Sequence, residues 1–201
     1  AYSAVAGALV EVTLDNVRAA FAAEHGHVPG ARMVVLGMGR LGAREMTASS
    51  DLDLVVLYDF DPERGRSDAP PPFAAVMYHA RLTQRLMSAL TVPPRRGRLY
   101  EVDMRLRPSG GQGPGATQFH GFVDYYARHA EVWEHMALTR ARVIAGDPDL
   151  ARETGEAVRA VLNGPRDRAA LAAAVSDMRA LIETEKGEAG EPITGEDRIA
   201  E

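Results

Sequence analysis

The stretch 33–60, MVVLGMGRLGAREMTASSDLDLVVLYDF, decides how this chain folds. Its apolar start leads into GMGRLG at 37–42, which matches the glycine pattern of dinucleotide-binding turns. A dinucleotide site of that kind needs a crossover of a dozen or more residues between two parallel strands. Only AREMTASS, residues 43–50, separates the glycines from the next strand-like run. The missing crossover therefore argues against dinucleotide binding, although Asp59 lies near the expected position of a ribose-binding acid.

The hydrophobic pattern of the first half predicts a mixture of helices and strands. Apolar residues at helical spacing predict one helix that ends near Gly26 and another over 73–90. Strands are predicted at 32–36, 51–60 and 99–107. The middle strand becomes wholly apolar after its start, as expected for a strand that is buried on both faces.

The second half shows the spacing of helices. From Phe119 onward we interpret the apolar pattern as helical throughout, with one helix starting after Asp147, a capping residue followed by proline. We therefore predict an α+β fold with a catalytic domain over 1–116 and a helical bundle over 117–201. The tail of this bundle, from Gly187, is acidic and expected to be frayed.

Composition restricts the class of protein. The 201-residue chain has a net charge of −5 and contains no cysteine. The negative charge argues against tight binding to nucleic acid, and the lack of cysteine excludes disulfides and favours a reducing compartment. No apolar stretch approaches the ~20 residues of a membrane span, and the N-terminus lacks the regions of a signal peptide. We therefore expect a cytoplasmic protein without membrane contact.

Two aspartates at the start of the middle strand form the strongest candidate for chemistry. Asp51 and Asp53 are separated by one residue, and side chains at i and i+2 of a strand share a face. Two carboxylates ~5 Å apart repel by roughly 3 kcal/mol at an effective dielectric of ~20, unless a cation lies between them. Magnesium takes oxygen ligands and is commonly shared with substrate phosphates. The pattern therefore predicts a magnesium site.

Asp103 adds a third carboxylate if the third strand lies beside the middle one. Three carboxylates can hold two metal ions ~3.5–4 Å apart, an arrangement that serves phosphoryl and nucleotidyl transfer. Backbone N–H groups of Gly39 and Gly42 would then face a triphosphate. A second interpretation stays open, in which Arg105 and Arg107 neutralise the aspartates and this end of the strand is structural.

Three motifs together resemble the bacterial glutamine synthetase adenylyltransferases. They are GMGRLGAREMTASSDLDLVVLYDF at 37–60, LYEVDMRLRPSG at 99–110 and WEHMALTRARVIAGD at 133–147. The resemblance implies a nucleotidyltransferase fold, with a small mixed sheet flanked by helices. It also implies that the complete enzyme carries two such domains: one transfers AMP from ATP to a tyrosine of glutamine synthetase, and the other removes it by phosphorolysis. RLRPSG and WEH make this chain more similar to the C-terminal, AMP-attaching copy.

The resemblance also implies roles for individual residues. Asp51, Asp53 and Asp103 would bind two magnesium ions, and the phosphates of ATP would be lined by Gly39, Arg40, Gly42 and Ser50. Asp103 could also help to deprotonate the tyrosine. Apart from the resemblance, Arg105 and Arg107 could guide the departing pyrophosphate or position the protein substrate, and Arg105, which is nearer to Asp103, is the better candidate. The implied partners are glutamine synthetase as protein substrate and the PII signal protein as regulator of the full-length enzyme.

Other functions stay open at this stage. The AMP-removing copy shares the three carboxylates, and a module that only senses nucleotide would share the fold. The glycine-rich loop PSGGQGPG at 108–115 either closes over a bound tyrosine or merely connects two elements.

Overall fold

A computed structural model of the chain describes residues 1–91, 100–108, 115–165 and 168–189. Two predicted features lie outside the described residues, namely the interior of the glycine-rich loop at 109–114 and the tail beyond 189. Within the described residues, no helix is both long enough and apolar enough to cross a membrane.

The described part of the chain contains seven α-helices, a short 3-10 helix at Pro62–Arg64 and five strands. The helices are α1 (Tyr2–His25), α2 (Gly39–Gly42), α3 (Ala75–Thr91), α4 (Phe119–Arg128), α5 (Val132–Leu138), α6 (Pro148–Leu162) and α7 (Arg168–Ala189). The strands are β1 (Arg32–Gly37), β2 (Leu52–Asp59), β3 (Val102–Asp103), β4 (Thr117–Gln118) and β5 (Arg142–Gly146). The predictions for α1, β1, β2 and α3 are confirmed to within a few residues.

The strands form one mixed sheet in the order β3-β2-β1-β5, and β4 also pairs with β2. Strand β1 is antiparallel to both β2 and β5, whereas β3 and β4 run parallel to β2. Because β1 and β2 are antiparallel neighbours, no crossover helix lies between them. The prediction that the glycine turn is not part of a dinucleotide-binding βαβ unit is therefore confirmed.

Both faces of the sheet are buried, as the apolar run in β2 predicts. On one face, Leu54 and Val56 pack in a core that also contains Leu14 of α1 and Leu86 of α3. On the other face, alternate residues of the same strand pack in a second core, whose members include Val55, Leu57, Phe122, Tyr126 and Leu150. The sheet is therefore the middle layer between two sets of helices.

The interpretation of the second half as helical throughout is wrong at one place. Residues 142–146 form strand β5, which pairs with β1 through partners such as Val35 and Ala145. A short apolar run next to helices has the same local pattern as a helix segment, so only its pairing partner reveals the strand. With β5 in the sheet and α4 and α6 against it, the expected helical bundle is not confirmed.

The chain separates into two compact units. Within the described residues, the first lies within Ala1–Ala130 and Glu134–Gly164, and the second contains Glu131–Trp133, Pro165 and α7. The predicted domain boundary after residue 116 falls inside the first unit. In the second unit, helix α7 has partly buried residues at helical spacing, among them Leu171, Val175 and Met178.

Two other local predictions are sharpened by the structure. The Asp147 carboxylate accepts hydrogen bonds from the backbone N–H groups of Asp149 and Leu150, so it caps α6 as predicted. The third predicted strand, by contrast, is short: of the expected 99–107 the structure describes 100–107, and within that range only Val102 and Asp103 form a ladder with β2.

Candidate functional site

The glycine turn lies directly against the start of β2. The backbone N–H of Met38 donates to the carbonyl of Asp53 at 2.8 Å, which ties the turn to the strand. Gly39 has a φ of +48°, and a Cβ placed there would collide with the Asp53 carboxylate. Glycine is therefore required at 39 by backbone conformation and by the closeness of the acid.

The pairing of β2 with β3 brings two of the predicted acids together. Asp53 and Asp103 are partners in the parallel register of these strands, whose spacing is about 4.8 Å. The pairing is fixed by the Leu52 N–H, which donates to the carbonyl of Glu101 at 2.8 Å. Asp51 precedes the strand on the same side and is exposed. The condition set by the sequence analysis, that Asp103 lies beside Asp53, is thus met.

Charge is concentrated at this edge of the sheet. Burial raises the pKa of the Asp53 carboxyl, and the negative charges of Asp103 and Asp51 raise it further, against an opposing effect of Arg105. A carboxylate that is half-buried and flanked by two others is costly to keep ionised without a cation. Such unfavourable charge is typical of a binding site, although ion-pair networks can also produce it.

Arg105 supplies part of the missing positive charge. Its backbone N–H donates to Asp103 Oδ1 at 2.7 Å, and its guanidinium donates to Asp103 Oδ2 at 2.6 and 2.8 Å. These bonds, above all the side-chain one, lower the pKa of Asp103. Arg107 instead donates to the carbonyl of Met104 at 2.7 Å. The interpretation in which arginine neutralises the aspartates therefore holds for Asp103, through its bonds to Arg105 and, to a smaller extent, through the charge of Arg107.

An open cavity of about 470 Å³ lies beside this edge. Five of the eight predicted site residues line it: Gly39, Arg40, Ser50, Asp51 and Asp53. Asp103 pairs in register with the lining residue Asp53, Arg105 is bonded to Asp103, and Gly42 is buried at the end of the glycine turn. Two lining residues, Ser49 and Arg140, were not predicted. Sequence reasoning missed Arg140 because it assigned this segment to a helix.

Ser50 shows why the loop before β2 keeps its shape. Its side chain is buried, and its hydroxyl accepts a hydrogen bond from the Thr47 N–H at 2.9 Å. The two hydroxyls are also 3.0 Å apart. Ser50 therefore holds the loop that carries Asp51, and its contact with nucleotide phosphate stays a prediction.

The segment that leads into β5 holds the back of the glycine turn. The Arg142 guanidinium donates to the carbonyls of Gly42 at 3.1 Å and Leu41 at 3.0 Å. A Cβ at Gly42 would collide with the carbonyl of Arg140. The Gly42 N–H donates to the Met38 carbonyl at 2.8 Å, so this amide already has a partner inside the turn, and its predicted contact with phosphate stays a prediction.

The three aspartates offer the kind of ligand atom that magnesium prefers. Asp51, Asp53 and Asp103 offer only oxygen ligands, and the raised pKa of Asp53 marks negative charge that a divalent ion would offset. Within the described ranges, however, no group of three or more acidic or histidine side chains is close enough to form a finished metal site. The Asp103 carboxylate is turned to Arg105, so it would have to exchange this partner for a metal ion.

Comparison with known proteins supports the resemblance. The family described as Glutamate-ammonia ligase adenylyltransferase matches residues 1–157. Proteins named bifunctional glutamine synthetase adenylyltransferase/adenylyl-removing enzyme are similar to this chain: 50% identity over 92% of the chain in Mesorhizobium japonicum, and 50% over 94% in Bradyrhizobium diazoefficiens. The chain spans about 19% of the length of each of these relatives. The motifs, the fold and these matches together show that the chain belongs to the glutamate-ammonia ligase adenylyltransferase family.

Proposed function

We propose that this chain is a catalytic nucleotidyltransferase domain that transfers AMP from ATP to a tyrosine of glutamine synthetase. The observation that carries the proposal is the register of Asp53 with Asp103 beside the glycine turn. Family membership supplies the substrate, because the relatives are named for glutamine synthetase. The similarity of RLRPSG and WEH to the AMP-attaching copy favours attachment over removal.

In the proposed reaction, the tyrosine oxygen attacks the α-phosphorus of ATP in line with the leaving group. A bond forms between that oxygen and phosphorus, and the bond from phosphorus to the α,β-bridging oxygen breaks, so that pyrophosphate leaves with the electron pair. Asp103, on β3 at the edge of the sheet, would accept the tyrosine proton once its carboxylate is released from Arg105. The glycine turn positions the nucleotide against Asp53, because Gly39 allows the closest approach of backbone to that acid.

Magnesium ions would be held by Asp51, Asp53 and Asp103, and would supply neutralisation of the phosphate charge that develops during transfer. Arg105 is paired with Asp103 in this structure, and its side chain is largely exposed. A metal ion held by Asp103 would take the place of Arg105 there, and the Arg105 guanidinium could then bind the departing pyrophosphate.

The test uses the chain, ATP labelled at the α-phosphate, magnesium and unmodified glutamine synthetase. Transfer of label to one tyrosine, located by mass spectrometry, supports the proposal. A reverse assay with adenylylated glutamine synthetase and phosphate releases ADP if the chain is the AMP-removing copy instead. Binding of ATP without either reaction would indicate a nucleotide-sensing module. Regulation by the PII signal protein stays a prediction for the full-length enzyme.

A further inference from the structure

We propose that Arg140 binds the terminal phosphates of ATP, and that Glu45 occupies it until the nucleotide arrives. This inference rests on the proposed function, since it assigns the triphosphate to the cavity beside Asp53. Arg140 lies just before β5, about a hundred residues along the chain from the glycine turn. No motif of the glycine turn or of the aspartate strand points to it.

Arg140 is held through its side chain by the glycine turn and through its backbone by the end of α5. Its Nε donates to the Gly39 carbonyl at 3.3 Å, and its backbone N–H donates to the Ala137 carbonyl at 3.1 Å. Its own carbonyl faces Gly42 so closely that no Cβ would fit there. The guanidinium is therefore held at the wall of the cavity that Gly39, Asp51 and Asp53 also line.

The charges of the cavity explain what Arg140 would bind. Asp51 and Asp53 make their part of the cavity wall anionic, so we assign the metal ions and the reacting α-phosphate to that part. Most of the negative charge of ATP lies on its β- and γ-phosphates, which need a cation at a distance from the aspartates. Arg40 and Arg140 are the cationic side chains that line the cavity within the described residues. Arg140 is the one held by the turn, and a guanidinium forms bidentate hydrogen bonds with phosphate.

Glu45 is suited to act as a displaceable partner. Its carboxylate forms an ion pair with Arg140 Nη2, but 62% of the Glu45 side chain and 43% of the Arg140 side chain are exposed. Exposed ion pairs of this kind add little to stability, so a phosphate displaces the carboxylate at small cost. The pair keeps the guanidinium extended over the turn and ready to bind an anion.

Calorimetric titration of the chain with ATP, pyrophosphate and AMP, each with magnesium, tests this assignment. In Arg140→Ala, the affinities for ATP and pyrophosphate should fall about tenfold or more, whereas AMP, which lacks the terminal phosphates, should bind as before. Arg140→Lys should recover part of the lost affinity, because lysine keeps the positive charge but cannot form the two parallel hydrogen bonds of a guanidinium. In Glu45→Gln, ATP should bind more tightly than in the unmodified chain, because the competing carboxylate is gone.

A matched ion pair elsewhere serves as control. Arg85 and Glu24 are also exposed and paired, at 2.6 Å, but join α3 to α1 away from the cavity. Arg85→Ala should leave all three affinities unchanged, and thermal unfolding checks that each variant is folded.

Equal weakening of ATP binding in Arg140→Ala and Glu45→Gln would overturn the inference, because it would show that the pair only supports the turn. ATP binding by folded Arg140→Ala at full affinity would also overturn it. Absence of ATP binding by the unmodified chain would instead remove the proposed function, and this inference with it.

Discussion

The two ends of strand β2 hold acidic residues in opposite electrostatic situations. At its C-terminal end, Asp59 accepts a hydrogen bond from Arg32 at 2.7 Å, and the same guanidinium donates to Glu153 at 2.6 Å. At its N-terminal end, Asp53 has no ion pair within the described part of the chain and lies beside Asp103. The first arrangement joins β1, β2 and α6, whereas the second leaves the negative charge only partly compensated, because Arg105 pairs with Asp103 and not with Asp53.

This difference separates structural acids from acids kept for function. The pKa of Glu153 is lowered by its bond to Arg32, so the ionised form is favoured by folding. The pKa of Asp53 is raised, so folding works against its ionised form. A protein that retains such an unfavourable charge at a cavity wall gives up stability for binding. The predictions below test whether the N-terminal end of β2 serves binding and its C-terminal end serves stability.

The largest expected effect is that of Asp53→Asn on AMP transfer. With Asp53 as the metal ligand that we propose, its loss should remove ~4 kcal/mol of transition-state stabilisation, which corresponds to about a thousandfold in rate. The free energy of unfolding should stay the same or rise, because the substitution removes repulsion from Asp103. Labelled AMP transfer and urea unfolding measure the two quantities. Asp124→Asn, at an exposed acid on α4, is the control and should change neither. A loss of activity that merely follows a loss of stability would contradict the assignment.

The next largest effect concerns the stability in acid of the region around the C-terminal end of β2, where His79 packs on Tyr58. His79 is 2% exposed, stacks on Tyr58 with ring centres 4.5 Å apart, and its Nδ1 is 2.8 Å from the Ala75 carbonyl oxygen. Burial lowers the pKa of His79 from 6.5 to about 4. Because the unfolded chain binds this proton at higher pH than the folded chain does, stability is complete above about pH 6.5 and falls towards pH 4. The loss should reach about 3 kcal/mol.

Urea unfolding at several pH values tests this prediction with His79→Phe as the matched variant. Phenylalanine keeps a ring against Tyr58 but cannot titrate. Its free energy of unfolding should therefore vary less between pH 6.5 and 4 than that of the unmodified chain. An equal slope in both proteins would show that other groups cause the acid sensitivity.

A pair of glycines separates backbone strain from the closeness of the acid. Gly39 and Gly30 both have positive φ, +48° and +74°, but an added Cβ collides with Asp53 only at Gly39 and meets nothing within 4 Å at Gly30. Alanine at either position should cost about 1–2 kcal/mol of stability from the left-handed conformation. Only Gly39→Ala should also weaken ATP binding, by about tenfold, because the added methyl group would push the glycine turn away from Asp53. Equal ATP affinities in the two variants would show that the turn does not position the nucleotide.

The sequence predicted the features of this site that are local. The glycine turn, the short link to β2 and the common side of Asp51 and Asp53 all follow from a stretch of about 28 residues. The place of Asp103 could be stated only as a condition, because strand pairing is a non-local choice. Arg140 and Arg142 were missed, since their contacts reach the turn from about a hundred residues away. Whether arginine neutralises an aspartate also required the structure, because Arg105 and Arg107 look alike in sequence but bind different partners.

The smallest expected effect is that of Asp59→Asn, the counterpart of Asp53→Asn at the other end of β2. Arg32 keeps its two hydrogen bonds to Glu153, so the substitution removes only one partner of a part-buried guanidinium. The free energy of unfolding should fall by about 1 kcal/mol, and AMP transfer should stay within about twofold of the unmodified chain. The same two assays used for Asp53 measure both. A large loss of transfer in Asp59→Asn without loss of stability would show that the ion-paired end also serves the reaction, and the contrast between the two ends of the strand would then no longer hold.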